Sequence, residues 1–184
     1  MDHSERVKLA RSCWKNTGQN RPAFAIEPKE GEESVWDYPR PPVIVEDNRE
    51  VIVRSGQVII AHTTRSLRIC ETASPPTFYL PPSDVDQKYL SRTASRTFCE
   101  WKGQATYWSL AIPEQLEKAN IGWSYERPSV EFEPIQGFFS FYPGRIDCFV
   151  DGHAVLPQAG NFYGGWITPE IVGPFKGEPG TFGW

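Results

Sequence analysis

The residues best equipped for chemistry crowd into one stretch, Thr97-Phe98-Cys99-Glu100-Trp101-Lys102-Gly103-Gln104-Ala105-Thr106-Tyr107-Trp108. A thiol, a carboxylate and an amine stand there among large rings, on what reads as two strands joined by a tight glycine turn. Cys99 would be a nucleophile only with its pKa lowered by a cation; the ordinary fate of a buried cysteine is that of a small hydrophobe. Lys102 could bind an anionic group or act as an amine nucleophile. Side chains alternate along a strand, which puts Cys99 and Trp101 on one face and Glu100 and Lys102 on the other. A thiolate–ammonium pair therefore needs the chain to bend at Gly103.

A second reactive position comes from parity. Residues 66–72 form a strand in which Leu67, Ile69 and Glu71 share a face. If that face is the core face, Glu71 points inward and needs a partner or a pocket. Lys102 is the expected partner, either as a buried ion pair that fixes register or as a site with Glu71 as general base or ligand anchor. The two groups are expected within salt-bridge distance of each other or around a shared cavity. Tyr79, Trp101, Tyr107, Trp108, Trp123, Tyr125, Phe141 and Tyr142 are core rings by type. Together they also suit an aromatic-walled cleft for a planar ligand. Arg145 would add an anion contact there, or pair with Asp147 at the surface for little gain. His62 shares the parity of Val58 and Ile60 and is expected as a satisfied core histidine; His153 beside a turn should be solvated. No Ser-His-Asp order is visible.

The elements that must position these groups are mostly strands. Val43–Val45, Glu50–Arg54 and Gln57–His62 are β-branched runs punctuated by Asp47-Asn48 and Ser55-Gly56, the latter a hairpin signal. Thr77–Leu80 is a short aromatic strand between proline pairs. Ser83 followed by Asp86 resembles a capping box opening a helix through about Ser91, with Val85, Tyr89 and Leu90 on one side. The hairpin of residues 97–110 follows, and Pro113 can start a further helical turn. Ile121–Tyr125, Val130–Phe132, Phe138–Tyr142 and Ile146–Val150 are strand candidates, and Asp151-Gly152 is a type I′ turn signal leading into His153–Leu156. Residues 4–14 predict one short helix with Ser4 as N-cap and Val7, Ala10 and Trp14 at helical spacing.

Composition agrees with this. The 184 residues suit one domain with a real core. Aromatics reach 14%, with 15 glycines and 17 prolines, which favours a loop-rich β protein. The division expected is an N-terminal arm (1–33), a β domain (34–156) and an ordered glycine, proline and aromatic tail (157–184) packed on it; rings such as Phe162, Tyr163, Trp166, Phe175, Phe182 and Trp184 favour docking over disorder. A formal charge of −4 gives no footprint for nucleic acid or an anionic membrane. The charged start and the lack of a long apolar run argue against secretion and membrane insertion. Cys13, Cys70, Cys99 and Cys148 are widely spaced with no C-x-x-C pair, as free thiols of a cytoplasmic protein would be, and offer no paired metal ligands.

With those residues in view, the sequence resembles the family catalogued as domain of unknown function four-two-seven, for which the label nucleotidyltransferase is also used. The shared motifs stand here as SVWDYPRPP (34–42), ETASPPTFYLPPSDV (71–85), TFCEWKGQATYW (97–108), GWSYERPSVEFEPIQGFFSFYPGRIDC (122–148) and DGHAV (151–155). The resemblance implies a compact, mainly antiparallel β domain (α+β by strict count), barrel-like or tent-like, of bacterial and fungal type. It transfers nothing to residues 1–33 or to the tail. Neither a P-loop nor a K-x-D-G lysine motif is present, nor paired aspartates at metal-binding spacing, so no cofactor is named.

Three functions follow in order of preference. The first is a cytoplasmic small-molecule-binding domain, with enzymatic activity left open, whose cleft carries Glu71, Cys99 and Lys102 as reactive groups. The second is an interaction module or homodimer that uses the aromatic tail. The third is nucleotidyl transfer. The tail separates the first two: rings exposed around Trp166, Phe175 and Trp184 favour a partner surface, whereas rings folded over the cleft favour a ligand.

Overall fold

A computed structural model describes residues 3–113, 117–160 and 162–184. The helical turn predicted from Pro113 lies largely outside the described residues. Helix α1 (His3–Ser12) is followed by β1 (Glu33–Ser34), β2 (Val43–Asp47), β3 (Val51–Ser55), β4 (Val58–Thr63), β5 (Ser66–Glu71) and β6 (Ser74–Tyr79). The long hairpin is β7 (Leu90–Cys99) and β8 (Gly103–Leu110), then come β9 (Lys118–Ser124), β10 (Phe139–Phe141), β11 (Asp147–Val150) and β12 (His153–Ala154). The tail holds three short strands, β13 (Leu156–Pro157), β14 (Trp166–Ile167) and β15 (Ile171–Val172).

The strands assemble into three main sheets, ordered β2-β5-β6, β12-β11-β3-β4 and β10-β9-β8-β7, and two small pairs, β1-β15 and β13-β14. Pairing is antiparallel except between β1 and β15. The mainly β, antiparallel class expected from the sequence holds, and among the described residues no sheet closes into a barrel. None of the described helices is long and apolar enough to cross a membrane.

Turn chemistry explains the hairpins. Gly56 follows β3 at φ +59, and Asp151 and Gly152 both take positive φ, the geometry a type I′ loop demands. The core gathers between the sheets, with Val51, Val53, Ile60, Phe78, Leu80, Ile121 and Phe141 fully buried. Trp166 of the tail joins it, stacked on Phe78 with ring centroids 4.8 Å apart. Trp36 and Val35 anchor the 34–42 segment in a second cluster against Ile171. Truncating one such buried tryptophan costs about 3–5 kcal/mol. The tail is thus a structural part of the core.

Four expectations are corrected. The segment after Ser83 is helical only as two 3-10 turns, Pro82–Asp84 and Gln87–Tyr89. Val85 between them is extended and bridges Ala61, so core packing breaks the helix where the capping pattern would have continued it. Val130–Phe132 is not a strand but part of a 3-10 run, Val130–Ile135. Phe132 and Ile135 bury at a spacing of three, while Val130 is 86% exposed. Ser4 lies inside the first turn of α1 rather than before it. His62 is exposed and meets Glu50 at 2.9 Å. Its parity is inverted because β3 and β4 shift register between Val53 and Arg54, which leaves Ile60 unopposed and sends both Ile60 and Ala61 inward.

Candidate functional site

The strand β7 ends at Cys99, which pairs with Gly103 across the hairpin. Glu100, Trp101 and Lys102 form the loop between them, and Gly103 takes φ +95, open to glycine and strained for other residues. Strand alternation stops with the strand. Cys99, Glu100, Trp101 and Lys102, expected on opposite faces, all line one cavity.

That cavity has a volume of about 210 Å³. From β5 and β6 it receives Glu71 and Tyr79; from β8, β9 and the segments after them, Tyr107, Trp123, Tyr125 and Tyr142. Phe162, Tyr163, Gly164 and Lys176 cover it from the tail, and Trp14 closes it from the segment after α1. Rings set its shape: Trp123 lies 4.5 Å from Tyr142, centroid to centroid, and 6.4 Å edge-on from Tyr79. Trp123 Nε1 donates to Tyr79 Oη at 3.3 Å, and Thr97 Oγ1 and Tyr107 Oη share a hydrogen bond of 2.8 Å.

Glu71 and Lys102 meet at this cavity, but the ion pair goes elsewhere. Arg40 Nε donates to Glu71 Oε1 at 3.0 Å, and the same guanidinium donates to the carbonyls of Asn16 (3.0 Å) and Thr72 (2.9 Å). Its side chain is 1% exposed. Arg40, within the SVWDYPRPP motif, is the partner that parity demanded for Glu71. Among the described residues no carboxylate oxygen lies within 4.0 Å of either Lys102 or Lys176.

The two amines differ in electrostatics. Burial works against the Lys102 ammonium, yet Cys99, Tyr79, Glu71 and Glu100 face it and together hold its pKa above that of a free lysine. Lys176, 2% exposed, is pushed down to about 8, chiefly by burial and further by Arg40, against the opposing pull of Glu71, Glu100 and Cys99. Its Nζ sits 3.7 Å from the centroid of Trp14, a ring Arg40 also covers at 4.3 Å. Burial drives the Tyr79 hydroxyl up to about 12 and raises Tyr125 and Tyr142 as well, so these phenols are neutral donors. Cys70, pushed up to about 11 by burial, and Cys148 are inert thiols of the core.

Among the cleft residues singled out from the sequence, Trp108 and Phe141 pack with the main core instead, while nine line the cavity: Glu71, Cys99, Lys102, Tyr79, Trp101, Tyr107, Trp123, Tyr125 and Tyr142. Arg145 does not. Its guanidinium lies 4.4 Å from the Tyr142 ring centroid and donates to Asn120 O at 2.7 Å, behind the wall. Asp147 is exposed on β11. Trp14, Arg40 and Lys176 were missed, and Glu100, noted as the carboxylate of the reactive stretch, was given no role at the cleft. Lys176 carried one signal, as the only lysine or arginine after Arg145 in a run of rings and glycines.

Among the described residues no three His, Cys, Asp or Glu side chains gather in a way that could hold a metal ion. Comparison with curated proteins gives no match. Residues 43–152, which carry β2 through β11 and most of the cavity wall, match the family described as "Domain of unknown function (DUF427)", and the chain belongs to that family.

Proposed function

We propose that the protein is a small-molecule-binding domain whose ligand occupies the ring-walled cavity at Glu71, Cys99 and Lys102. One observation carries this reading: reactive and aromatic side chains from segments as distant as Trp14 and Lys176 converge on a single space. Convergent polar groups in an apolar concavity are the usual form of a ligand site. At about 210 Å³ the space is below the roughly 300–1,000 Å³ of drug-sized pockets, which favours a small planar metabolite. The persistent charge on Lys102 favours one bearing an anionic group. Free thiols at all four cysteines support a reducing compartment such as the cytoplasm.

The tail weighs against an interaction module. Trp166 is fully buried, and Trp184 stacks on Phe24 at 5.1 Å against Trp36. These rings are spent within the chain. Nucleotidyl transfer ranks last, because the cavity is small for a nucleoside triphosphate and two-metal chemistry needs gathered carboxylates.

Thermal-shift screening against small carboxylates, keto acids, aromatic metabolites and nucleotides tests the reading. A small anionic ligand should raise the melting temperature of the native protein, and Lys102→Met should abolish the rise. No stabilising compound, or a rise indifferent to Lys102→Met and Glu71→Gln, would overturn it.

A further inference from the structure

Two lysines border one cavity and differ in how readily they give up a proton, a division of labour that a plain binding site does not need. Lys176 is the more enclosed, packed against Trp14 and 5.2 Å from the Tyr163 ring centroid, with no carboxylate in salt-bridge range among the described residues. An amine walled by rings and deprived of a counter-ion is the environment that makes lysine a nucleophile.

We propose that Lys176 condenses with the carbonyl carbon of a small α-oxo acid held in the cavity, forming an imine, while Lys102 pairs with the acid's carboxylate. This rests on the small-molecule reading above and names its substrate class. The Nζ lone pair attacks the carbonyl carbon, the C–N bond forms as the carbonyl π bond opens onto oxygen, and one proton passes from the nitrogen to that oxygen, giving a carbinolamine. A second proton on the oxygen lets it leave as water while the nitrogen lone pair closes the C=N bond, and the nitrogen then gives up its remaining proton to leave the neutral imine. Oxo acid and amine thus become imine and water, with no oxidant or reductant. Glu71, which accepts from Arg40 on one oxygen, borders the same space and can carry the protons from nitrogen to oxygen, while Lys102 keeps its charge for the carboxylate. The groups facing Lys176 are Glu71, Glu100 and Cys99, which favour its charge, and Arg40, which opposes it. Burial decides the balance, so the amine loses its proton with a midpoint near pH 8.

The test uses the full chain, with pyruvate and phenylpyruvate as probes, borohydride as trap, and intact mass followed by peptide mapping. Reduction should fix one adduct at Lys176, at a rate exceeding that of exposed Lys8, Lys15 or Lys29 by at least about tenfold near pH 8, since a free lysine is almost wholly protonated there. Lys176→Met should lose the adduct. Lys102→Met should keep it but require higher oxo-acid concentration, and should not alter trapping of benzaldehyde, which lacks the carboxylate. Should Lys176→Met fail to fold, the pH profile of labelling in the native chain decides: a midpoint near 8 supports the proposal and one near that of a free lysine overturns it. No adduct, or labelling spread over the surface lysines, also overturns it. If small carboxylates still stabilise the protein when no adduct forms, only the amine chemistry falls; if neither occurs, both readings fall.

Discussion

Arg40 commits its whole guanidinium to the interior. It bonds the Glu71 carboxylate and two carbonyls and lies over Trp14. Removing one member of a buried ion pair strands the other, at a cost of about 3–5 kcal/mol. Arg40→Met should therefore lower stability by about that much, read from the urea midpoint, while adding Glu71→Gln should recover part of the loss through coupling between the two sites. A similar arrangement sets acid sensitivity. Burial disfavours the charged form of Asp47, but Arg49 and Arg68 prevail and hold its carboxyl below the usual range. Glu170 is lowered too, with Thr168, its own backbone and Arg49 outweighing burial. A depressed carboxyl stabilises the fold above its unfolded pKa, and that contribution fades as pH falls through the folded value. Urea midpoints should hold from neutrality to about pH 5 and drop steeply below about pH 4. In Asp47→Asn the drop should be shallower.

Among the elements, the loop that closes the long hairpin and the irregular tail segment at 162–164 that covers the cavity are the sensitive ones. Gly164 packs so closely that a Cβ would stand on the indole of Trp123 and press the Tyr142 ring. Gly164→Ala should cost about 1–3 kcal/mol as overpacking and weaken ligand-induced thermal shifts far more than an exposed control such as Gly183→Ala, where a Cβ meets nothing. The same elements mark what the sequence discloses. Turns at Gly56 and Asp151-Gly152 were legible because positive φ is a local demand with few residue solutions. Glu71 was legible through period two, since β5 keeps regular alternation as far as Ile69. His62 was not, because a one-residue bulge depends on how the partner strand fits and leaves no mark in composition. The helix expected from Ser83 failed because Val85 finds more to gain in the core than in a second turn. Lys176 stood out only by its isolation among rings and glycines, and its place at the cavity was not legible because only the return of the tail across the sheets gives it neighbours.

On the scale of the whole molecule, the family segment is not the whole site. Residues 43–152 provide most of the wall, but Trp14, Phe162, Tyr163, Gly164 and Lys176 come from outside it, as does Trp166 at the centre of the core. A fragment limited to 43–152 should lack fixed packing, seen as weak near-ultraviolet dichroism and binding of apolar dyes, whereas the full chain should melt cooperatively. The division has a further consequence. A cover contributed by a separable stretch of chain can change without disturbing the sheets beneath it, so relatives that share the same scaffold are free to diverge in what they accept. Exchanging residues 158–184 between two such relatives should move ligand preference with the exchanged segment.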